Sequence, residues 1–281
     1  MMESNGRYVC TLSPDLLKRA VEELHEPEDN EERLKAIDQL RDSYDEEKHG
    51  LLSRKDDAFI LRFLRAKKFD QEKALKVLIN WHKVQKDYET IFARMKSPTL
   101  LQPLVDSECL YILPDCSKDG ACAMHYRPGL LKTVNIWDLM AYSVYSMEKV
   151  LEEEKYQITG ICTIEDMANF SLKSMFMDMS PTAVAKMNAI WLDAMPIRFR
   201  GSHLLNEGRV IDFIMKLFKP FLKKKILDRI HLHGTDLPSL QEFFHVESLP
   251  PMLGGTGPTV QESVKIWTEK VTEDWPEDTS L

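Results

Sequence analysis

Through the first 95 residues, apolar residues recur every three or four positions, the spacing that places them on one face of a helix. Ser13-Pro14-Asp15 supplies an N-cap, a proline at the first helical position and an acid in the first turn, so one helix begins there. Asp70 is placed to cap another helix. Residues 1–95 are therefore predicted to form a helical N-terminal domain.

Two local features of this domain carry further expectations. The acidic stretch 26–32 is interpreted as a solvated turn leading into a helix. Ser53, followed three residues later by Asp56, resembles a capping box for the helix that contains Phe59, Ile60 and Phe63.

After Lys96-Ser97-Pro98 the pattern changes, because short apolar runs now alternate with helical segments. The runs are Cys109–Leu113, Ala121–Tyr126, Gly160–Glu165, Arg198–Leu205 and Arg229–His233. The helical segments are Ile136–Leu151, Pro181–Ala194 and Arg209–Leu222. Asp119-Gly120 signals a hairpin, and the remaining alternation predicts right-handed crossovers and a mostly parallel sheet. The predicted fold class is α/β, with an all-helical domain first, an α/β domain over 96–256, and a C-terminal helix with an acidic tail over 257–281.

Charge is distributed unevenly along the chain. The net charge is −8, which argues against general nucleic-acid binding. Residues 196–234 nevertheless contain nine Lys or Arg against three Asp or Glu, a local charge of +6 that leaves −14 for the remainder. A cationic segment on an acidic protein indicates an anionic partner.

The chain has neither a run of 18 apolar residues nor an apolar N-terminal stretch, so we expect no membrane span and no secretory signal. Its five cysteines form an odd set without a CxxC pair, which is typical of reduced thiols in a cytosolic protein.

Residues 206–222 form an amphipathic pattern with lysines on the polar side. Its apolar positions are Val210, Ile211, Phe213, Ile214, Leu217, Phe218 and Phe221. An ordinary helix that covers a sheet would show such a pattern. The broad apolar arc and the lysine-rich face are also typical of a helix at a lipid interface. A lid would explain both features, because its apolar face could cover a cavity when the lid is closed and enter lipid when the lid is open.

Several stretches resemble the CRAL-TRIO family, and most closely its tocopherol-transfer and retinaldehyde-binding branch. They occur in family order over about residues 50–256 and are Ala58-Phe59-Ile60-Leu61-Arg62-Phe63-Leu64-Arg65-Ala66-Lys67-Lys68-Phe69-Asp70, Phe199-Arg200-Gly201-Ser202-His203-Leu204-Leu205-Asn206-Glu207, Lys219-Pro220-Phe221-Leu222, Arg229-Ile230-His231-Leu232-His233-Gly234 and Leu249-Pro250-Pro251-Met252-Leu253-Gly254-Gly255. The resemblance implies a helical bundle joined to an α/β lipid-binding domain, with a deep apolar pocket gated by the helix after Asn206.

The resemblance also implies a phosphoinositide-binding cluster at five basic residues. These are Lys67, Arg198, Arg200, Lys225 and Arg229. The sequence departs from the tocopherol branch at Gly208, where that branch usually has a proline to start the lid.

The strand that ends at Glu165 places Ile161, Thr163 and Glu165 on one face. By resemblance that face lines the pocket, and retinaldehyde-binding members also have a glutamate at this point. A carboxyl group in an apolar cavity needs a donor or must be neutral, and could then bond a ligand hydroxyl or carbonyl. The alternative is that Glu165 lies at the strand end in solvent.

Other pocket candidates come from two helices. The first contributes an apolar stripe with one serine, which suits a long hydrophobic ligand with a small polar end; it comprises Ile136, Leu139, Met140, Ser143 and Met147. The second offers Met187, Ile190 and Trp191, which are equally compatible with ordinary core.

Other interpretations have less support. His231 and His233 could begin a zinc site, but no third ligand lies at motif spacing. Gly254-Gly255-Thr256-Gly257 lacks the Lys-Ser/Thr ending of a phosphate loop. No GxSxG, HExxH or GxGxxG motif occurs, so no catalytic residue, metal or cofactor is predicted and the protein is not expected to be an enzyme.

The sequence thus predicts a cytoplasmic carrier for one hydrophobic ligand, a retinoid, a tocopherol or a similar isoprenoid. The carrier would release it at phosphoinositide-containing membranes, endosomal or other, while bound there peripherally and transiently. The alternative is a phospholipid-binding or exchange protein that acts as a sensor in membrane trafficking.

Overall fold

The computed structural model describes residues 6–131, 135–170, 180–209, 211–212, 215–216, 219–221, 224–273 and 275. The chain divides into two compact units. The first comprises residues 1–89, 151–159 and 185–198, and the second comprises 90–150, 160–184 and 199–281. The predicted domain boundaries at 95 and 256 remain a prediction.

The helices lie close to the predicted positions. In chain order they are α1 Pro14–Leu24, α2 Asn30–Asp42, α3 Glu46–His49, α4 Asp57–Ala66, α5 Gln71–Asp87, α6 Glu89–Arg94, α7 Pro98–Asp106, α8 Ile136–Leu151, α9 Glu154–Thr159, α10 Pro181–Asn188, α11 Lys224–Leu227, α12 Leu237–Gln241 and α13 Val260–Thr272. Short 3₁₀ turns lie at Pro128–Leu130, Lys219–Phe221, Val246–Ser248 and Pro251–Leu253. The described residues 6–13 contain no helix, so the helical N-terminal region begins at Pro14.

Side-chain caps explain where several helices begin. The side chains of Ser13, Asp70 and Thr259 accept hydrogen bonds from backbone N–H groups of α1, α5 and α13. The capping box predicted for Ser53 is wrong, because Asp56 is itself the N-cap of α4 and accepts from the Phe59 N–H. The helix predicted over 181–194 changes after α10 into a π-helical turn, Ala189–Ala194.

The first unit packs helices around apolar and charged groups alike. Ala20 and Leu24 of α1 are fully buried against Ile158 of α9, with Leu12 and Leu16 beside them. Burial of a leucine side chain contributes about 1.5–3 kcal/mol. A short segment far along the chain thereby holds the first helix.

Glu26 lies in this unit and is buried, so the expectation of a solvated stretch from residue 26 is wrong at its first residue. Its Oε1 accepts from Arg33 Nε at 2.8 Å, and its Oε2 accepts from Arg65 Nε at 2.8 Å. Arg65 also donates to Glu154 Oε2 and Gln157 Oε1, at 2.8 and 2.9 Å. Two buried guanidinium groups compensate the buried carboxylate, which is the arrangement that makes such burial tolerable.

The second unit is built on a five-stranded sheet, and the predicted α/β class is confirmed. The strands are β1 Leu110–Leu113, β2 Cys122–Tyr126, β3 Ile161–Asp166, β4 Phe199–Leu205 and β5 Ile230–Gly234. They follow the order β1-β2-β3-β4-β5, with β1 antiparallel to β2 and the other neighbours parallel. The sheet is therefore mostly parallel, and among the described strands the antiparallel pair β1–β2 flanks Asp119-Gly120, where Gly120 has a φ of 75°.

Candidate functional site

Three polar side chains meet on one face of the sheet, at the centre of β3 and β4. Thr163 Oγ1 donates to Glu165 Oε1 at 2.9 Å, and Ser202 Oγ donates to the same oxygen at 2.7 Å. No described residue donates a hydrogen bond to Glu165 Oε2. The carboxyl group is half-buried, with one oxygen saturated by hydroxyls and the other open to a further donor.

This polar cluster is surrounded by apolar side chains of the same sheet face. Met124, Thr163, Ser202 and Ile230 form one row across four strands, and Tyr126, Glu165, Leu204 and Leu232 form the next. Paired residues of neighbouring strands project to the same side of a sheet.

The exposure of these rows distinguishes them from a closed core. Ser202 and Leu204 are buried, whereas Met124, Tyr126 and Ile230 are half-buried and Leu232 is 54% exposed. Burial raises the pKa of the Tyr126 phenol, and the neighbouring Cys109 and Glu165 act in the same direction, so the hydroxyl stays protonated. The result is an accessible apolar face with a small hydrogen-bonding centre.

The predicted pocket residues of α8 are nearly all enclosed. Leu139, Met140, Ser143 and Met147 are buried, while Ile136 at the helix start is half-buried. Ser143 Oγ donates to the carbonyl oxygen of Leu139 at 2.8 Å, so its proton is already used within the helix. On β3, Ile161 is buried.

The other predicted wall residues, Met187, Ile190 and Trp191, belong to the first unit. Ile190 is fully buried and the other two are half-buried. The π-helical turn that contains Ile190 packs against α5, where Asn80 Nδ2 donates to the carbonyl oxygen of Asp193 at 3.0 Å. Their role as pocket walls remains a prediction.

Most of the predicted lid lies outside the described residues, namely Val210, Phe213, Ile214, Leu217 and Phe218. Ile211 is described and buried, and Phe221 ends the 3₁₀ turn. The chain leaves the sheet through Asn206 and Gly208, with φ angles of 53° and 48°. Proline cannot adopt a positive φ, which accounts for glycine at position 208.

The five predicted phosphoinositide-binding residues divide between the units. Lys67 and Arg198 lie in the first, and Arg200, Lys225 and Arg229 in the second, so a single cationic face remains a prediction. Lys67 and Arg229 are half-buried and Lys225 is exposed.

Three of the arginines already have protein partners. Arg198 donates to the carbonyl oxygen of Ile158, and its Nη2 contacts Glu23 Oε2 at 2.9 Å. Burial alone would raise the pKa of Glu23, but hydrogen bonds from Arg198 and Arg19 lower it. Arg200 Nη2 pairs with Asp119 Oδ2 at 3.0 Å, and Arg229 donates to the carbonyl oxygen of Phe199.

Ser202 is the site residue that sequence reasoning missed. It belongs to a recognised motif, but nothing local connects it to Glu165, 37 residues earlier. The connection follows from the register of β3 and β4, in which Thr163 pairs with Ser202.

Within the described part of the chain, no three His, Cys, Asp or Glu side chains are arranged to hold a metal ion. The same residues include no helix of the length and apolarity that crossing a bilayer requires.

Two family models match the chain. The model described as CRAL/TRIO domain covers residues 107–255, and the model described as CRAL/TRIO, N-terminal domain covers residues 16–80. The first contains all five strands and the polar cluster at Glu165.

Named relatives agree with this assignment. The alpha-tocopherol transfer protein-like protein of Homo sapiens is 37% identical over 251 residues, covering 89% of this chain and 72% of that protein. Clavesin-1 of Rattus norvegicus is 34% identical over 258 residues, covering 88% and 70%. The crystal structure of Sfh5 superimposes with a TM-score of 0.55 at 15% identity, covering 94% of this chain and 100% of that one, which shows a common fold. The chain belongs to the CRAL-TRIO family of lipid-binding proteins.

Proposed function

We propose that this protein is a carrier that shields one hydrophobic molecule and transfers it at membrane surfaces, rather than an enzyme. Membership of a lipid-binding family supports a lipid ligand. The observation that carries the proposal is the Thr163–Glu165–Ser202 cluster, a single polar centre on an accessible, otherwise apolar sheet face. One long apolar molecule with one small polar end fits such a surface.

The hydrogen-bond pattern around Glu165 indicates which polar group the site would prefer in a ligand. Thr163 and Ser202 both donate to Glu165 Oε1, which leaves Oε2 as an acceptor. An ionised carboxylate only accepts hydrogen bonds, so a ligand hydroxyl suits Oε2 and a carbonyl oxygen does not. We therefore propose an alcohol or phenol of the retinoid, tocopherol or similar isoprenoid class.

The ligand body would lie along the apolar residues of α8 and β3. Leu139, Met140 and Met147 are buried side chains of α8, and Ile161 is buried on β3. Ser143 bonds its own helix, which makes it a wall residue in this proposal and leaves head-group recognition to Glu165.

Fluorescence titration tests ligand class directly, with retinol, retinal, tocopherol and a phosphatidylinositol as probes. We expect saturable 1:1 binding of a hydroxyl ligand, and retinol binding at least tenfold more tightly than retinal because a hydrogen bond to a charged group contributes about 1.5–3 kcal/mol. Tight binding of phosphatidylinositol alone would contradict the proposal and favour a phospholipid-exchange or sensing protein.

We further propose that the segment after Asn206 is the lid. Its lysines and apolar residues have the composition of an interfacial helix. Replacing Phe213 and Phe218 together by Asp should slow transfer to vesicles and leave binding in solution intact, because a charge placed in lipid costs a few kcal/mol. Loss of folding in that variant would contradict the lid.

A phosphoinositide headgroup is the proposed anionic partner of the cationic residues. Arg198 and Arg200 are paired with Glu23 and Asp119, so a headgroup would have to displace those carboxylates, as multivalent phosphate can. Arg198 and Arg229 also hold backbone carbonyls, and reversing their charge would disturb folding. Lys225 is exposed and makes a cleaner test.

Lys225→Glu should weaken binding to phosphoinositide-containing vesicles severalfold at low salt, since a basic residue near an anionic surface contributes about 1 kcal/mol. Lys265→Glu, the same charge change at an exposed position of α13, is the matched control. Equal losses in both variants would show that net charge alone matters and contradict a specific site.

We place the carrier in the cytoplasm with transient, peripheral visits to endosomal or similar membranes. All five cysteines are free, as a reducing compartment requires.

A further inference from the structure

Tyr126 is the last residue of β2 and lies next to Glu165 in the register of the sheet. The two residues are paired across neighbouring parallel strands, so both side chains project from the same face. Leu204 and Leu232 continue the row on β4 and β5. The row crosses the sheet near the carboxyl ends of its parallel strands, which is where open parallel sheets bind their ligands.

The backbone of Tyr126 is held on both sides. Leu110 of β1 pairs with it on one side, and Glu165 of β3 pairs with it on the other. The N–H of the next residue, Arg127, donates to the carbonyl oxygen of Cys109 at 2.7 Å. The phenol therefore projects from a rigid part of the sheet, as a group that selects a ligand by hydrogen-bond geometry must.

The Tyr126 hydroxyl is a hydrogen-bond donor that the described part of the protein does not use. None of the described residues forms a hydrogen bond with it, and it is not enclosed as the unpartnered Tyr44 hydroxyl of the first unit is. The tyrosine as a whole is half-buried. Burial raises the pKa of its phenol, and Cys109 and Glu165 act in the same direction, so the oxygen keeps its proton.

The two rows across the sheet otherwise lack an available donor. A ligand hydroxyl both donates and accepts a hydrogen bond, and Glu165 Oε2 can accept its proton. Thr163 and Ser202 have one hydroxyl proton each, and both protons already go to Glu165 Oε1. The other side chains of these rows, apart from Tyr126, are apolar. Tyr126 is therefore the group placed to donate to the oxygen of the ligand.

We propose that Tyr126 is a specificity-determining residue that donates its phenolic O–H to the oxygen of a ligand hydroxyl, while that hydroxyl donates to Glu165 Oε2. The inference rests on the proposed function, because it takes the Glu165 face as the ligand site. It separates two tasks. Tyr126 recognises an oxygen acceptor, in an alcohol and an aldehyde alike, and Glu165 recognises the hydroxyl proton. Together they select an alcohol or a phenol over an aldehyde, an ether or a hydrocarbon.

Tyr126→Phe removes the hydroxyl, keeps the ring and tests the inference in the full-length protein. The probes are retinol, retinal and the hydrocarbon in which a methyl group replaces the hydroxymethyl group of retinol, each titrated by quenching of the protein's fluorescence. We expect the affinities for retinol and retinal to fall about fivefold each, the effect of one neutral hydrogen bond. Affinity for the hydrocarbon should change by less than about twofold. The ratio of retinol to retinal affinity should keep its wild-type value, whereas Glu165→Gln abolishes it.

Tyr111→Phe is the matched control. Tyr111 is fully buried in β1, and its hydroxyl bonds His125 Nδ1 at 2.6 Å. It precedes the β1 partner of Glu165's row by alternation, so its side chain lies on the opposite face of the sheet. This variant should leave all three affinities unchanged, and a similar loss for the two retinoids would contradict a role specific to Tyr126.

Unchanged affinity for both retinoids in Tyr126→Phe would overturn the inference. An equal loss for the hydrocarbon would also overturn it, because a residue that only shapes the site affects all three probes alike. If Tyr126→Phe does not fold, the wild type decides the question. Retinal should then bind about fivefold more tightly than the hydrocarbon, and equal affinities would overturn the donor role.

These outcomes are distinct from failure of the proposed function. If the wild type binds none of the three probes but binds phosphatidylinositol, the carrier of an isoprenoid is itself contradicted. If the wild type binds retinol and Tyr126→Phe binds it equally well, the carrier stands and the role of Tyr126 is contradicted.

Discussion

The two units each contain a glutamate away from bulk solvent, and the two sites differ in how far the carboxyl group is satisfied. In the first unit Glu26 is fully enclosed and both its oxygens accept from buried arginines. In the second unit Glu165 is half-buried and one oxygen takes both available hydroxyls. A buried carboxylate whose oxygens all accept hydrogen bonds from the protein stabilises the fold. A carboxylate with one oxygen left over can bind a ligand, so the number of hydrogen bonds that each carboxylate accepts distinguishes a structural from a functional one.

The largest effect should come from breaking the saturated network. Glu26→Gln leaves the Arg33 and Arg65 guanidinium groups buried without their shared charge, and should lower the free energy of unfolding by about 3–5 kcal/mol. Urea denaturation measures the change. Glu28→Gln, two residues away and exposed, should stay within about 0.5 kcal/mol of the wild type. Similar effects for the two variants would mean that the Glu26 network does not stabilise the fold.

A smaller loss of stability is expected when a hydroxyl at the periphery of the same network is removed. The Tyr8 hydroxyl donates to Glu154 Oε2 at 2.6 Å and accepts from Arg65 Nη2 at 3.1 Å. Tyr8→Phe should cost about 1.5–3 kcal/mol by the same measurement, because both partners are charged. Tyr44 provides the control, since its buried hydroxyl bonds no described group and Tyr44→Phe should be neutral or stabilising. Comparable losses of stability in both variants would contradict a stabilising role for the Tyr8 hydroxyl.

Glu165→Gln tests the carboxylate of the second unit. It should change the free energy of unfolding by less than about 1 kcal/mol, because the side chain is half-exposed. Retinol affinity should fall about tenfold and its advantage over retinal should vanish, because the carboxylate acceptor is lost. Paired titrations with the two retinoids measure this. Unchanged affinity for every ligand would mean that the side chain lies outside the cavity.

The smallest effect is expected at Ser202. Ser202→Ala removes one of two donors to Glu165 Oε1, so retinol affinity should fall about fivefold, the equivalent of about 1 kcal/mol. Ser143→Ala, on a serine that bonds its own helix, should have no comparable effect. A larger loss at Ser143 would transfer head-group recognition from β3 and β4 to α8.

The same contrast explains what the sequence could predict. Helix caps such as Ser13, Asp70 and Thr259 act within three residues, and the sequence located all three helices. Alternating strands and helices likewise predicted the parallel sheet. Hydrogen-bond partners that are distant in the chain cannot be inferred from local sequence patterns, which is why Glu26 was expected in solvent.

The candidate site shows the same limit. The face of Thr163 and Glu165 follows from strand periodicity, but Ser202 joins them only through the register of two strands 37 residues apart. Pairwise motif spacing along the chain cannot reveal this cluster.

Native mass spectrometry of the purified protein tests the central claim most directly, because it counts and weighs whatever is bound. The account predicts a single non-covalent adduct at 1:1 stoichiometry, and organic extraction should identify it as an isoprenoid-type molecule with a hydroxyl end. After loading with retinol, Glu165→Gln should retain a smaller bound fraction than the wild type. A phospholipid adduct, or a protein that binds no added isoprenoid alcohol, would contradict the account.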